Sequence, residues 1–309
     1  AGKEKEESTI GKQILEQFYQ KTQGEITRSF LSRMITRLES EQSVKEYLDI
    51  MDHRKTEQLI DTLDKVEQNR KECYIREFSI EHFHDSKVFE TLIPKICKIF
   101  REENEELTGF ENEEILAEYQ IYKTPGYVYM KGNVQIYSAG KQAADISAFP
   151  EGIAVAVGSE EDVPDICPDQ TIDKVFTIEN LTSFYRFKQE HSLVIYLGGY
   201  HNRSRRNLLM QIYQKLPDAQ YYHFGDLDAG GFYILEHLKR KTGIPFQMFQ
   251  MDIETLKKYE DYAKPLTEND KKRLMQLEKM ELPDEERKLI TYMLQKGIKL
   301  EQECISESQ

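Results

Sequence analysis

An α/β fold built on a parallel sheet is predicted for the C-terminal half of this 309-residue chain. Three observations predict it. Short runs of β-forming residues alternate with helix-length apolar patterns between Lys174 and Met251. Carboxylates recur where such a run ends and a helix pattern begins. The N-terminal third, by contrast, reads as helical, so the chain divides into parts of different class.

Taken in order, Ile10, Ile14, Leu15, Phe18 and Tyr19 share one helical face, and Ile26, Phe30, Leu31, Met34, Ile35 and Leu38 share a second. Stripes of this kind form core. Further helical segments are expected around Val44–Met51 and Gln58–Val66, with a boundary near Asn69-Arg70-Lys71. Residues 86–103 spell one amphipathic helix, with Val88, Phe89, Leu92, Ile93, Ile96, Ile99 and Phe100 apolar and Asp85 or Ser86 as its N-cap. From Ile121 the pattern changes to strands: Tyr127–Met130, a turn at Lys131-Gly132-Asn133, Val134–Tyr137, and later Ile153–Val157. These make a small β unit. Pro164, Pro168 and the acids Glu160, Glu161, Asp162, Asp165 and Asp169 form a polar connector.

Beyond it, Lys174–Ile178 reads as a buried strand ending in Glu179, followed by a helix-like stretch from Thr182 to Lys188. Leu193–Leu197 is a second strand, then Gly198-Gly199 and a helix from about Arg203 to Lys215. Ala219–Phe224 is a third, running into Gly225-Asp226-Leu227-Asp228-Ala229-Gly230-Gly231 and a helix over Phe232–Lys241. Pro245–Met251 supplies a fourth strand. Glu179, Asp226 and Asp228 thus stand at the C-terminal ends of strands, the edge at which open α/β sheets collect ligands. Close carboxylates repel when ionised, which raises the pKa of one unless a cation offsets the charge. A hard, oxygen-seeking ion such as Mg2+ is the natural partner. A plainer account stands beside this one: Asp228 caps the following helix and the glycines serve the turn.

A Glu after the first strand and an Asp-x-Asp after the third resembles the toprim domain, the metal-binding unit of topoisomerases, primases and several nucleases. More narrowly, Ile178-Glu179-Asn180-Leu181, the Gly225–Gly231 stretch, Arg76-Glu77-Phe78-Ser79 leading to Asp85–Glu90, and the tail Gly297–Glu303 are similar to the JetD family. Its members are toprim nuclease subunits of Wadjet plasmid-defence systems. The likeness spans roughly residues 73–303. It implies a toprim domain, a parallel Rossmann-like sheet with helices, over 171–262. Before it come a helical region at 1–72 and a winged-helix-like and β connecting region at 73–170; a C-terminal helical segment follows at 263–309.

By the same resemblance, Glu179, Asp226 and Asp228 are catalytic acids and ligands of Mg2+, with Mn2+ as a substitute. Double-stranded DNA is the substrate, an SMC-like ATPase with kleisin-type subunits the partner, and a homodimer the state that places one site against each strand. Two alternatives stay open: a topoisomerase VI A-like breaker using a tyrosine nucleophile, and a non-catalytic toprim scaffold that binds DNA or partner subunits. Of 18 tyrosines none stands in a recognisable nucleophile setting, and Tyr74 lacks the paired-tyrosine motif of those relatives, which favours hydrolysis. A phosphatase built on Asp-x-Asp would carry the pair after its first strand, not its third.

Composition bounds these readings. With 55 Asp and Glu against 42 Lys and Arg the net charge is -13, unfavourable for unaided attraction to a polyanion, so DNA affinity must be local or borrowed from a partner. One basic run stands out, His201-Asn202-Arg203-Ser204-Arg205-Arg206, after the second strand. Cations there oppose the helix dipole, so His201, Arg203, Arg205 and Arg206 are candidates to hold DNA phosphates, against the plainer account of a solvated helix end. Of the seven histidines only His201 and His223 fall near the crevice, where ordinary packing accounts for them. Glu301 and Glu303 could fold back beside the metal, although a charged helix end explains them more simply. Cys73, Cys97, Cys167 and Cys304 lack zinc-finger spacing, and the charged N-terminus is unlike a signal peptide, so the cytoplasm is expected. Ile153–Val157 is too short to span a membrane.

Overall fold

The computed structural model describes residues 2–108, 110–123, 126–157, 164–198, 201 and 203–305, and forms two compact units, Ala1–Thr124 and Pro125–Gln309. Glu160, Glu161 and Asp162 of the expected connector lie outside the described residues. Among those described, no helix is long and apolar enough to cross a membrane.

The first unit is helical: α1 (Gly2–Lys21), α2 (Glu25–Glu39), α3 (His53–Gln68), α4 (Ile75–Phe83), α5 (Val88–Glu103) and α6 (Asn112–Glu118). Its two short strands, β1 (Cys73–Tyr74) and β2 (Ile121–Tyr122), pair in parallel. The predicted stripe of α2 packs as expected, with Phe30, Leu31, Met34 and Leu38 buried. On α1 only Leu15 of the predicted face is fully buried, and Ile10 is exposed. Gly24 has no side chain with which to cap α2. Glu67 of α3 supplies the cap instead, accepting hydrogen bonds from Ile26 N (2.8 Å), Thr27 N (2.9 Å) and Thr27 Oγ1 (2.9 Å).

Two local expectations are corrected here. Val44–Met51 is not a helix but a chain of turns in which Val44 O accepts from both Tyr47 N and Leu48 N. The helical spacing of Val44, Tyr47 and Leu48 reflects burial of all three, while Asp52, the side-chain cap of α3, forces a break before His53. The start of α5 is held from a distance: Ser79 of α4 accepts from Phe89 N at 3.0 Å, while Asp85 takes Lys87 N at 2.7 Å. The left-handed turn at His84 folds α4 back to make that possible.

In the second unit the described residues include a six-stranded sheet ordered β11-β10-β8-β9-β3-β6. Its strands are β3 (Gly126–Lys131), β6 (Ile153–Val157), β8 (Lys174–Ile178), β9 (Ser192–Tyr196), β10 (Gln220–Phe224) and β11 (Gln247–Met248). The β8/β9, β8/β10 and β10/β11 pairs are parallel, as the alternation predicts. The crossovers between them are α7 (Leu181–Arg186), α8 (Arg203–Lys215) and α9 (Ala229–Thr242). Central strands buried on both faces need near-continuous apolar runs, which β8 and β9 have.

The small β unit is divided in a way its local pattern does not reveal. Strand β3 extends the large sheet antiparallel to β9 and β6 pairs antiparallel to β3 at its edge, whereas β4 (Val134–Ser138), β5 (Lys141–Asp145) and β7 (Asp165–Pro168) form a separate three-stranded sheet. The strands flanking the Lys131–Asn133 turn therefore do not pair with each other. The C-terminal stretch adds α10 (Ile253–Lys258), β12 (Lys264–Pro265), α11 (Glu268–Leu277), α12 (Asp284–Lys296) and β13 (Ile298–Lys299). Strand β13 pairs with β12, and Leu300 then bridges Leu227, bringing the tail to the carboxyl end of the large sheet. Phe176, Phe184, Phe187, Phe224, Phe232, Ile290 and Leu300 share the core beneath it.

Candidate metal centre

Strand β8 lies between β9 and β10, so the chain's direction of travel across the sheet reverses at β8. A crevice opens at such a switch point, outside the carboxyl ends of the strands. Ile178 pairs with Phe224, so Glu179 follows the last pair on one side and Gly225-Asp226 on the other. Asp228 stands two residues further, at the N-cap of α9, where it accepts from Gly231 N at 2.9 Å. The capping role and the acidic-cluster role thus fall on one residue.

Glu179 is largely buried, its side chain 10% exposed. Its Oε1 meets His223 Nε2 at 2.8 Å, and His223 Nδ1 meets the Thr177 hydroxyl at 2.9 Å. Burial holds Glu179 well above the usual carboxylate range, reinforced by the charge of Asp228. Burial pushes His223 down to about 3, against the pull of Asp226. A neutral His223 that donates Nε2–H to Glu179 accepts a hydrogen bond from the Thr177 hydroxyl at Nδ1. Asp226 is pushed up to about 7, first by burial and then by Glu179, Asp228 and Glu303, although the Gln302 N–H donated to its Oδ1 at 2.7 Å works the other way. Room for Glu179 comes from Gly225, where a Cβ would stand 2.1 Å from Glu179 Oε1.

Among the described residues no three His, Cys, Asp or Glu side chains are disposed as a ready metal cage. Each acid is turned to a donor of its own chain: Glu179 to His223, Asp226 to Gln302, and Asp228 to Gly231. The donor chemistry nonetheless suits a hard divalent ion. Glu179 and Asp226, pushed up by burial and by neighbouring carboxylates, would be stabilised as anions by a cation, and all-oxygen ligation is what Mg2+ and Mn2+ take.

The basic run is drawn inward. His201 is 1% exposed and Arg206 is 8% exposed; Arg206 donates to His201 O at 2.7 Å, and Arg205 donates to Leu197 O at 2.6 Å. The Arg203 side chain lies outside the described residues. His201 Nε2 meets His237 Nδ1 of α9 at 3.3 Å; burial, together with neighbouring cations, pushes His201 well below its ordinary pKa and His237 down to about 3.

Sequence reasoning places His223 near the crevice but leaves it to ordinary packing, and it gives Gln302 no role. His223 sits one position before the last residue of β10, and only the strand register shows that it faces Glu179. Gln302 is fully buried and binds both segments that carry the acids, yet its neighbour Glu303 carries the more visible charge. Glu303 does come back, accepting from Asn180 Nδ2 at 2.5 Å, while Glu301 pairs with Lys264 at 2.6 Å. The one signal in sequence is the tail motif itself.

Residues 161–309 match the family model described as Wadjet protein JetD, C-terminal. The chain is also 28% identical over 263 residues to the Wadjet protein JetD of Bacillus cereus (strain Q1), a match that covers 84% of this chain. It spans 63% of that relative's length. On these matches, residues 161–309 of this chain, which carry Glu179, Asp226 and Asp228, belong to the JetD C-terminal family.

Proposed function

We propose that this chain is a divalent-metal-dependent DNA endonuclease subunit of an SMC-like defence complex of the Wadjet kind, with a toprim domain formed by β8–β11 and their helices. The observation that carries the reading is the pair of partly buried carboxylates, Glu179 and Asp226, on adjacent strand ends at the switch point, both held well above their ordinary pKa. Glu179, Asp226 and Asp228 would hold Mg2+, or Mn2+ in its place. When bound, the ion supplies Lewis-acid stabilisation of the phosphodiester and of the leaving oxygen.

The chain's own groups do the rest. His223 orients Glu179, and Gly225 leaves the space that Glu179 occupies. Hydrolysis adds water across the P–O3′ bond and leaves a 5′-phosphate and a 3′-hydroxyl. Arg203 and Arg205 are assigned the phosphate contacts, with Arg206 and His201 fixing the segment that carries them. A homodimer would set one centre against each strand of a duplex. The net charge of -13 supports loading by SMC-like and kleisin-type partners, in the cytoplasm, over unaided search for DNA.

A non-catalytic scaffold draws support from the acids being satisfied by their own chain. The two separate on supercoiled plasmid incubated in EDTA, Mg2+ or Mn2+ with the chain alone and with its partner complex, comparing wild type, E179Q and D226N. Metal-dependent linear or nicked product that enters the gel without protease, and falls about 1000-fold in either variant, supports the nuclease. Equal activity in the variants, or none under any condition, supports the scaffold.

A further inference from the structure

Ligation by three acids leaves one buried polar side chain in the crevice without a role. The tail enters through two backbone hydrogen bonds between Leu227 and Leu300, at 2.9 and 3.1 Å, and buries Gln302 completely. The Gln302 side chain then spans the two strand ends that carry the acids. Its Oε1 accepts from Asn180 N at 2.8 Å, one residue after Glu179, and its Nε2 donates to Phe224 O at 3.0 Å, two residues before Asp226. Phe224 O also accepts from Glu179 N at 3.1 Å. The amide thereby continues the ladder between β8 and β10 beyond its last residue pair, like a short piece of inserted backbone. Its main-chain N–H goes to Asp226 Oδ1 at 2.7 Å.

A buried glutamine must find partners somewhere, so satisfaction alone argues only for stability. The choice of partners argues for more. Three of its groups meet the segments bearing Glu179 and Asp226, and one of the three contacts is to a carboxylate oxygen itself. Outer partners of this sort fix the direction of ligand lone pairs, and their loss typically weakens metal binding about 10- to 100-fold.

We propose that Gln302 is a positioning residue of the metal centre: spanning Asn180 and Phe224, it sets the spacing of Glu179 and Asp226 and aims Asp226 through its own N–H. The inference rests on the metal reading given above.

The test is Mn2+ binding by calorimetry and by electron paramagnetic resonance on the full chain, without DNA. Wild type is compared with E179Q, D226N, Q302A, Q302E and the core variant L274A, each with its melting temperature in EDTA. Q302E keeps the length of the side chain and its acceptor for Asn180 but loses the donor to Phe224 O, so it serves if Q302A does not fold. The expected result is Mn2+ affinity lowered at least about 10-fold in Q302A and Q302E. L274A melts earlier and binds as wild type does. Wild-type affinity in a folded Q302 variant, or an equal loss in L274A, overturns the role of Gln302 while leaving the metal reading intact. If wild type does not bind Mn2+, or E179Q and D226N bind it equally well, the metal reading falls and the positioning role falls with it.

Discussion

Glu67 and Glu179 are both carboxylates taken largely out of water, one in each unit, and their surroundings could hardly differ more. Glu67 accepts three hydrogen bonds at the N-terminus of α2, where two backbone N–H groups and the helix dipole favour its charge. Glu179 has His223, itself pushed neutral by burial, and its nearest influential charge is another carboxylate, Asp228. The first unit completes the coordination of its buried acid from within the chain. The second gathers acids whose described donors, His223, Gln302 N and Gly231 N, bring no formal positive charge, and on the proposed reading a metal ion would balance them. A buried carboxylate becomes a functional candidate through incomplete compensation, because a fully compensated one already has a structural explanation.

The largest expected effect sharpens this contrast by its sign. E67Q keeps one acceptor oxygen but turns an amide NH2 toward either the Ile26 N–H or the Thr27 N–H, and should destabilise the first unit by about 2–3 kcal/mol. D226N keeps an acceptor for Gln302 N and removes like-charge repulsion, so in EDTA it should stabilise the second unit by about 1–2 kcal/mol at pH 8. The pH dependence follows from the direction of the shift. The folded value of Asp226, about 7, lies above its ordinary 3.8, so its contribution is present below 3.8 and is lost as pH rises through 7. The D226N advantage should therefore grow as pH rises from about 4 to about 7, stay level above that, and close on adding Mn2+. Melting curves of both variants across pH 5–9 check this, and a destabilised D226N at pH 8 would break the comparison.

A second test uses the glycine that each acid leans against. A Cβ at Gly24 would stand 2.0 Å from Glu67 Oε2, and one at Gly225 would stand 2.1 Å from Glu179 Oε1. The steric insult is equal; the consequence should not be. G24A displaces a cap and should cost about 2 kcal/mol. G225A displaces an acid that contributes little to stability, so its melting temperature should fall less while Mn2+ affinity falls more. Calorimetry on the two variants, with and without Mn2+, reads both quantities.

How far all this was legible in the sequence divides along the same line. Glu179, Asp226 and Asp228 were visible because strand, acid and helix follow one another within a few residues, and the parallel order of β8 to β11 came from the same local alternation. What escaped depends on register or on long-range return. The facing of His223 and Glu179 needs the β8/β10 register, and Gln302 lies 76 residues from Asp226. The caps from Glu67 and Ser79 also come from outside the helices they serve. The Val44–Met51 turns failed for a different reason: three buried residues at helical spacing satisfy the periodicity without the backbone following it.

Third in size is the acid side of the second unit, where His237 and His201 are buried in contact. The folded value of His237, about 3, lies below its ordinary 6.5, so its contribution is present above 6.5 and is lost as pH falls toward 3. Arg206, Lys241 and Arg240 surround it and oppose its charging. H237Q can still hydrogen-bond His201 but cannot titrate, so relative to pH 7.5 it should lose about 1.4 kcal/mol less than wild type at pH 5.5. Chemical denaturation at the two values checks it. Equal losses would mean that this buried pair is compensated as fully as Glu67, and the contrast between the units would narrow to the acids alone.

The smallest effect concerns what holds the tail in the crevice. Lys264 and Glu301 form an ion pair 2.6 Å long at the entry to that segment, with side chains 55% and 46% exposed. Charge pairs so open to water are screened by salt and contribute little. The tail has other anchors: the β12/β13 pairing, the Leu227–Leu300 hydrogen bonds, and the buried amide of Gln302. K264M should therefore leave both the melting temperature and the Mn2+ affinity within experimental error at physiological salt, where Q302A changes the affinity at least about 10-fold. Calorimetry on the two variants side by side decides the point. If K264M weakens Mn2+ binding as much as Q302A does, surface charge seats the tail, and the acids of the second unit are governed by an exposed contact instead of by the buried network that sets them apart from Glu67.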